Sequence, residues 1–320
     1  MTVPSPGLRL IPAVVTVTLG GVISLQSRAN GELSRDLGSG FAPALLTMVT
    51  GLALLLVVLA GHRRSRLGLV AALAGVRGGR LPWWILTGGV FGALFLVVQS
   101  VAVPLVGVAV FSVGVVAGQT TGSLLADRAG LSPSGVKPIS PNRVVAALLA
   151  VIAVGLAISN RLESASGVAV FAILAFVAGV LIAPQQSANG RVAIAAGSPF
   201  SAATVNFAGG AVVLSIVVAA GWALGAIRIT DPVAAPWWAY LGGVLGLCVV
   251  AGAAWVVPMV GVLLFSLLSV FGQLAGALLL DVFLPTADTS VGWQVVAGVV
   301  LTLAAVIIAA VPRRARVSGR

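Results

Sequence analysis

The chain has 320 residues, 59 % hydrophobic and only 8 % charged, with a mean hydropathy of +1.16 and a formal net charge of +11. That leaves far too little polar surface to cover a soluble globule of this length, so the chain belongs in a bilayer. The basic residues form no soluble nucleic-acid face, and the absence of a nucleotide loop, metal cluster or nucleophile triad argues against a pump or a membrane enzyme and calls for no cofactor and no metal.

A span needs roughly 20 mostly apolar residues to cross about 30 Å of hydrocarbon. Ten runs qualify: 9–27, 41–60, 82–101, 104–126, 143–160, 167–186, 200–223, 236–256, 258–281 and 292–311. The first lacks a convincing cleavage site and reads as a retained span rather than a signal peptide. Beyond it, Arg28 to Gly40 is a hydrophilic connector with Glu32, Arg35 and Asp36 that faces outside and prolongs the helix. Span two leads into Gly61 to Arg80, the most basic loop, which holds the sole histidine, His62, expected to be solvated among arginines. Only Val103-Pro104 separates spans three and four, and Val257-Pro258 spans eight and nine, so each pair is expected to form a tight antiparallel hairpin. The loop Asp127 to Asn142, with Pro133, Pro138 and Pro141, holds span five away from span four. Arg161 to Ser166 then joins two halves, 1–161 and 162–320, too briefly to be a linker between separate domains. Cys248, the only cysteine, lies in a span as a small apolar filler, so no disulfide within the chain is available. Trp83, Trp84, Trp237, Trp238 and Trp293 stand at span starts, where amphipathic rings favour the headgroup level.

The second half repeats the first. Gln26-Ser27-Arg28-Ala29-Asn30-Gly31 recurs 159 positions later as Gln185-Gln186-Ser187-Ala188-Asn189-Gly190, with nine identities between Gln26 and Gly51. Pro82-Trp83-Trp84 matches Pro236-Trp237-Trp238 at an offset of 154, and 21 of the 46 positions from Pro82 to Asp127 are identical. The first half therefore carries five extra residues between the two blocks. With five spans per copy, the second copy enters the membrane from the opposite side. The expected fold is thus all-α, ten transmembrane helices as two inverted five-helix repeats, a symmetry that gives many secondary transporters two states of similar energy.

Orientation follows from charge. One side collects Arg9, Arg63, Arg64, Arg66, Arg77, Arg80, Arg128, Lys137, Arg143, Arg191, Arg313, Arg314, Arg316 and Arg320, and the other only Arg28, Arg35, Arg161 and Arg228. The positive-inside rule places the richer side, with both termini, in the cytoplasm.

The candidate binding residues are amides inside apolar runs. Gln26 and Asn30 share a helix face, as do Gln185 and Asn189, while Gln186 points to another azimuth. Unpaired in hydrocarbon, such groups cost several kcal/mol, so they face other helices or a water-filled cavity. Gln119 and Gln273 match in spans four and nine, each among small residues: Gly114, Gly118 and Gly122 in one copy, Gly272 and Gly276 in the other. The glycines are explained by close helix packing; the glutamines are not. Asn206 and Gln99 are further single amides without a partner of the same type in the other half. No charged residue lies near the centre of any span, so Asp127 and Asp281, at the ends of spans four and nine, are the candidates for proton coupling.

The paired motifs Gln26-x-x-x-Asn30-Gly31 and Gln185-x-x-x-Asn189-Gly190, each followed by Gly-Ser-x-Phe, resemble those of the YdcZ-type branch of the drug/metabolite transporter superfamily. The resemblance covers nearly the whole chain. It implies a carrier or exporter of the bacterial inner membrane, with a central cavity between the halves and the fifth and tenth helices at the periphery. Small multidrug relatives carry a membrane-embedded glutamate for proton antiport, and the first span here has none.

These readings converge on a secondary transporter or facilitator that moves a small neutral or zwitterionic metabolite by alternating access along Gln26, Asn30, Gln119, Gln185, Gln186, Asn189, Asn206 and Gln273. The rival is a non-transporting assembly or regulatory module whose amides only lock helices together. A selective channel would show a ring of charges or a repeated carbonyl motif, and neither is visible. The expected partners are the lipid bilayer and a small-molecule substrate, with a homodimer as one option and nucleic acid excluded.

Overall fold

The computed structural model describes residues 6–131, 140–159, 167–228, 235–260, 262–284 and 291–310. Lys137, Pro133, Pro138, the junction at Arg161 to Ser166 and the C-terminal arginines lie outside these residues. All regular structure among the described residues is helical: α1 (Pro6–Leu37), α2 (Phe41–Gly61), α3 (Arg63–Arg77), α4 (Gly88–Arg128), α5 (Pro141–Ile158), α6 (Val168–Ala196), α7 (Pro199–Ala223), α8 (Gly242–Val260), α9 (Val262–Phe283) and α10 (Trp293–Ala310). Short 3-10 turns, Trp83–Thr87 and Trp237–Leu241, lead into α4 and α8. Among the described residues seven helical stretches are long and apolar enough to cross a membrane, and two shorter apolar ones are Trp237–Ala253 and Trp293–Ala309. The protein is therefore a multi-pass membrane protein, and each of the ten expected spans falls on helix.

One of the seven stretches, Trp83–Arg128, runs to 46 residues and is two helices joined at a break. Gly107 sits at φ +82° and ψ 164°, a conformation essentially reserved for glycine. Along α6, residues Ala172, Phe176 and Val180 meet Gly114, Gly118 and Gly122 in rising order, whereas Gln185 and Asn189 meet Gly92 and Gly88 in falling order. The limbs 88–106 and 108–128 thus run antiparallel on one helix. The hairpin is as expected, but it turns at Gly107, and Val103 and Pro104 stay helical inside the first limb. The reason is dihedral: the turn needs a positive φ, which the proline ring forbids. Val257 and Pro258 are likewise within α8, and the residue that separates α8 from α9, Gly261, is outside the described residues.

The same arrangement recurs around α1. Gly272 and Gly276 of α9 meet Val17 and Gly21 in rising order, while Gly242, Gly246 and Gly252 of α8 meet Asn30, Gln26 and Leu19 in falling order. The first helix of each half therefore lies between two antiparallel segments of the other half. Glycine makes this possible, because backbone carbonyls of Val17 and Phe176 occupy the space that a Cβ on Gly272 or Gly118 would need. Small and medium side chains also dominate the interior around Phe111, where Val103, Val106, Val108, Ala172, Ala175 and Ala277 join it in one buried cluster. The helices α5 and α10 pack on each other, with Gly298 against Ala153 and Ala157, and meet the rest through α4, α6 and α9.

The connector after Gln26 prolongs the helix to Leu37, as expected, and its charges are packed: Arg28 and Glu32 are each only 8 % exposed. Their charges pair four residues apart, Arg28 Nη2 lying 3.2 Å from Glu32 Oε2 with Arg35 on the other carboxylate oxygen, which is what lets them enter a packed surface. The basic loop after α2 is the helix α3. His62 is its N-cap, its Nδ1 accepting the Ser65 backbone N–H at 3.3 Å and standing 2.7 Å from the Ser65 hydroxyl, so it has local partners besides solvent. Ser65 in turn bonds to Ser198 at 2.6 Å, and its carbonyl accepts the Ser201 hydroxyl, which ties α3 to the start of α7.

Candidate functional site

The amides of α1 are woven into a closed chain of hydrogen bonds. Thr47 Oγ1 donates to Asn30 Oδ1 at 2.8 Å, Asn30 Nδ2 to Gln99 Oε1 at 2.8 Å, and Gln99 Nε2 to Ser27 Oγ at 2.8 Å. Ser27 passes its proton to the Ile23 carbonyl of its own helix at 3.0 Å. Asn30 and Gln99 are 0 % exposed, so the cost of burying them is met inside the protein. Gln26 sits one turn before Asn30 and donates to the carbonyl of Gly242 at 2.9 Å, which fastens α1 to the N-terminus of α8. Gln99, ranked low in the sequence for want of a repeat partner, is the centre of this relay. Its acceptor, the Ser27 hydroxyl, and the Thr47 hydroxyl that bonds Asn30 carry no signal in a hydropathy reading.

Around α6 the matching positions keep more free capacity. Gln185 Nε2 donates to Asn206 Oδ1 at 3.3 Å, and Asn206 is 8 % exposed. Asn206 occupies the repeat position of Thr47, so each half has a polar α2 or α7 residue facing the amide helix, although the two residue types differ. Asn189 is half-buried over Gly88, with Oδ1 2.5 Å from where a Cβ would stand, as Asn30 Oδ1 is 2.5 Å from that point on Gly242. Among the described residues neither Asn189 nor Gln186 makes a side-chain hydrogen bond. Gln185 is half-buried and Gln186 exposed, the divergence of azimuths expected of neighbours on a helix.

Gln119 is half-buried on the second limb of α4, its backbone N 3.0 Å from the space a Cβ on Gly179 would fill. Gln273 is 7 % exposed, and its carbonyl accepts the Ser24 hydroxyl at 2.6 Å, holding α9 on α1. Neither glutamine side chain has a hydrogen-bond partner among the described residues. The structure therefore joins Gln99 of α4 to Asn30 of α1, one turn from Gln26, and Asn206 of α7 to Gln185 of α6, one turn from Asn189, with Gln119 on the second limb of α4 and Gln273 on α9.

The two aspartates are engaged differently. Asp281 is 5 % exposed and accepts the backbone N–H groups of Val108 at 2.9 Å and Ala109 at 2.7 Å, immediately after the Gly107 break. Asp127 pairs with Arg143 at 2.7 Å, and the same guanidinium donates to the Ser123 hydroxyl at 3.2 Å, joining the end of α4 to the start of α5. A further contact without a sequence signal is that of Arg191, which donates to the carbonyls of Gly130 and Leu131 at 3.1 Å each and lies 5.1 Å from the Trp84 ring centroid. It satisfies the carbonyls that the end of α4 leaves open and stacks on an aromatic face, two tasks suited to a guanidinium.

Two apolar clefts lie elsewhere. One, of about 290 Å³, lies between α5 and α6 and is lined by Val151, Val154, Ile158, Ala172, Ile173 and Phe176; the other, of about 270 Å³, lies between α3 and α7. No candidate amide lines either. Among the described residues there is also no group of three or more His, Cys, Asp or Glu side chains placed to hold a metal.

The family model described as “Putative inner membrane exporter, YdcZ” matches residues 11–156 and 170–308. No curated protein and no solved structure matches the chain.

Proposed function

The chain belongs to the YdcZ family, whose description is “Putative inner membrane exporter”, and from that premise we propose that it is a secondary transporter working by alternating access between two inverted five-helix halves. The observation that carries this reading is the exchange of first helices, α1 seated between α8 and α9 and α6 between the limbs of α4, with asparagine over glycine at matched positions in both. Two copies locked by equivalent contacts can trade environments at little energetic cost, which is what alternating access requires. Both termini lie in the cytoplasm, on the arginine-rich side.

The path is lined by the amides that retain hydrogen-bonding capacity: Gln119, Gln185, Gln186, Asn189 and Gln273. Asn30, Gln99 and Gln26 hold the helices. The two aspartates act on the fold, Asp281 as a cap and Asp127 as the partner of Arg143. With no charge among the path residues, the cargo is a small neutral or zwitterionic organic molecule.

A second reading, a non-transporting membrane module, is favoured by one observation: the relay through Asn30 and Gln99 is fully satisfied, as purely structural amides would be. A thermal-shift screen of the purified protein against neutral and zwitterionic metabolites separates the two. Transport predicts a stabilising ligand whose effect falls in Gln185→Ala and Asn189→Ala; a well-folded protein that responds to nothing, or a response unchanged in both variants, supports the module.

A further inference from the structure

We infer that the cleft between α3 and α7 is a binding site for an anionic phospholipid, taking an acyl chain between the helices and the phosphate on α3. Among the described residues no counterpart of α3 lies between α7 and the Trp237–Leu241 turn. The cleft, about 270 Å³, is walled by Leu69 and Leu73 of α3, Leu86, and Val205, Ala208 and Gly209 of α7. Its one hydroxyl, on Thr204, is spent on the Phe200 carbonyl at 2.8 Å, so the walls present hydrocarbon only.

The arginines of α3 are distributed unevenly about its axis. At about 100° per residue, Arg66 and Arg77 fall within about 60° of the line through Leu69 and Leu73, and Arg63 lies just beyond them. Arg64 alone points to the other flank. Ser65, Ala72 and Gly75 are buried against the protein, and all four arginines are exposed. Arg66 gives one donor to the Ala60 carbonyl at 3.1 Å and keeps the others. Val70, 60 % exposed on the same flank, adds apolar surface between Arg66 and Arg77. A solvent-facing basic helix would scatter its charges and hide its leucines. Here Arg66 and Arg77 stand on the flank of α3 that carries the leucines of an apolar slot, the pairing of charge and hydrocarbon that a phosphate diester on acyl chains presents. Arginine suits the task because its fork matches phosphate oxygens.

The site is tested by melting the detergent-purified protein with added dioleoyl phosphatidylglycerol, dioleoyl phosphatidylcholine or glycerol phosphate. Phosphatidylglycerol is expected to raise Tm by several degrees over phosphatidylcholine, and glycerol phosphate, which has the anion without chains, to give no rise. The double variant Arg66→Gln/Arg77→Gln is expected to lose the increment and Arg64→Gln to keep it. Ala208→Phe, which fills the slot, is expected to lose it too; should that variant not fold, the arginine comparison decides. Equal melting in both lipids, an equal loss in Arg64→Gln, retention in the double variant, or a full response to glycerol phosphate would each overturn the assignment, the last in favour of a simple anion site.

Discussion

Asp281 accepts the backbone N–H of Val108 at 2.9 Å across 173 residues of sequence, and takes that of Ala109 with its other oxygen at 2.7 Å. The carboxylate thus caps the second limb of α4 from another helix, and it does so where Gly107 has turned the chain. Freed from one helix by the break, these two N–H groups would otherwise be buried donors without acceptors.

Removing that cap by Asp281→Ala is expected to cost about 1–3 kcal/mol, the range for a charge-assisted hydrogen bond to a buried donor. Gly107→Ala is expected to cost a similar ~1–3 kcal/mol, because the new Cβ would have to adopt a glycine-only backbone conformation and would stand 2.8 Å from Asp281 Oδ2. Since both substitutions damage one joint, their effects should fall short of additive in a double-mutant cycle of unfolding in detergent. Full additivity would mean that the cap and the turn are independent.

The relay through Gln99 predicts an asymmetry among the amides. Gln99→Ala strands the Asn30 donor and removes the Ser27 contact in a site that is 0 % exposed, and should lower stability by about 1–3 kcal/mol. Gln186→Ala, on an exposed position without a hydrogen bond among the described residues, should stay within about 0.5 kcal/mol. Equal losses in chemical unfolding would contradict the division between holding and lining amides.

Gly89 and Gly243 occupy matched crossings. A Cβ on Gly89 would approach Gly210 N at 2.5 Å, and one on Gly243 would approach Gly51 N at 2.5 Å. Backbone cannot move aside as a side chain can, so Gly89→Ala and Gly243→Ala should each cost about 1–3 kcal/mol through overpacking, and by similar amounts. Thermal melts of the two variants check this; a large difference would show that the two crossings are not equivalent in energy.

The spans, the duplication and the amide pairs were legible in the sequence because hydropathy, offset and residue type carry them directly. The turn was placed three residues early, at Val103-Pro104 instead of Gly107, since proline marks a break in any helix whereas a single glycine among 40 does not announce a positive φ. The amphipathic α3 was read as a loop, its arginines masking the pattern of Ser65, Ala72 and Gly75 on one face. The burial of Arg28 and Glu32 depends on pairing with each other and with Arg35, which no linear pattern displays. The weight of Gln99 has no local signature because its partners, Ser27 and Asn30, both belong to α1. The capping role of Asp281 depends on a contact 173 residues away and has no local signature.

The most direct test of the central claim is substrate counterflow in proteoliposomes, using a compound identified by its stabilising effect on the protein. Vesicles preloaded with unlabelled compound are diluted into labelled compound, and uptake is followed for the wild type, for Gln185→Ala/Asn189→Ala and for empty vesicles. Alternating access predicts a transient accumulation of label that the wild type shows, that the double variant loses by at least tenfold, and that empty vesicles lack. Accumulation in the wild type that the double variant retains in full would contradict the assigned path, and binding without any accumulation would contradict transport itself.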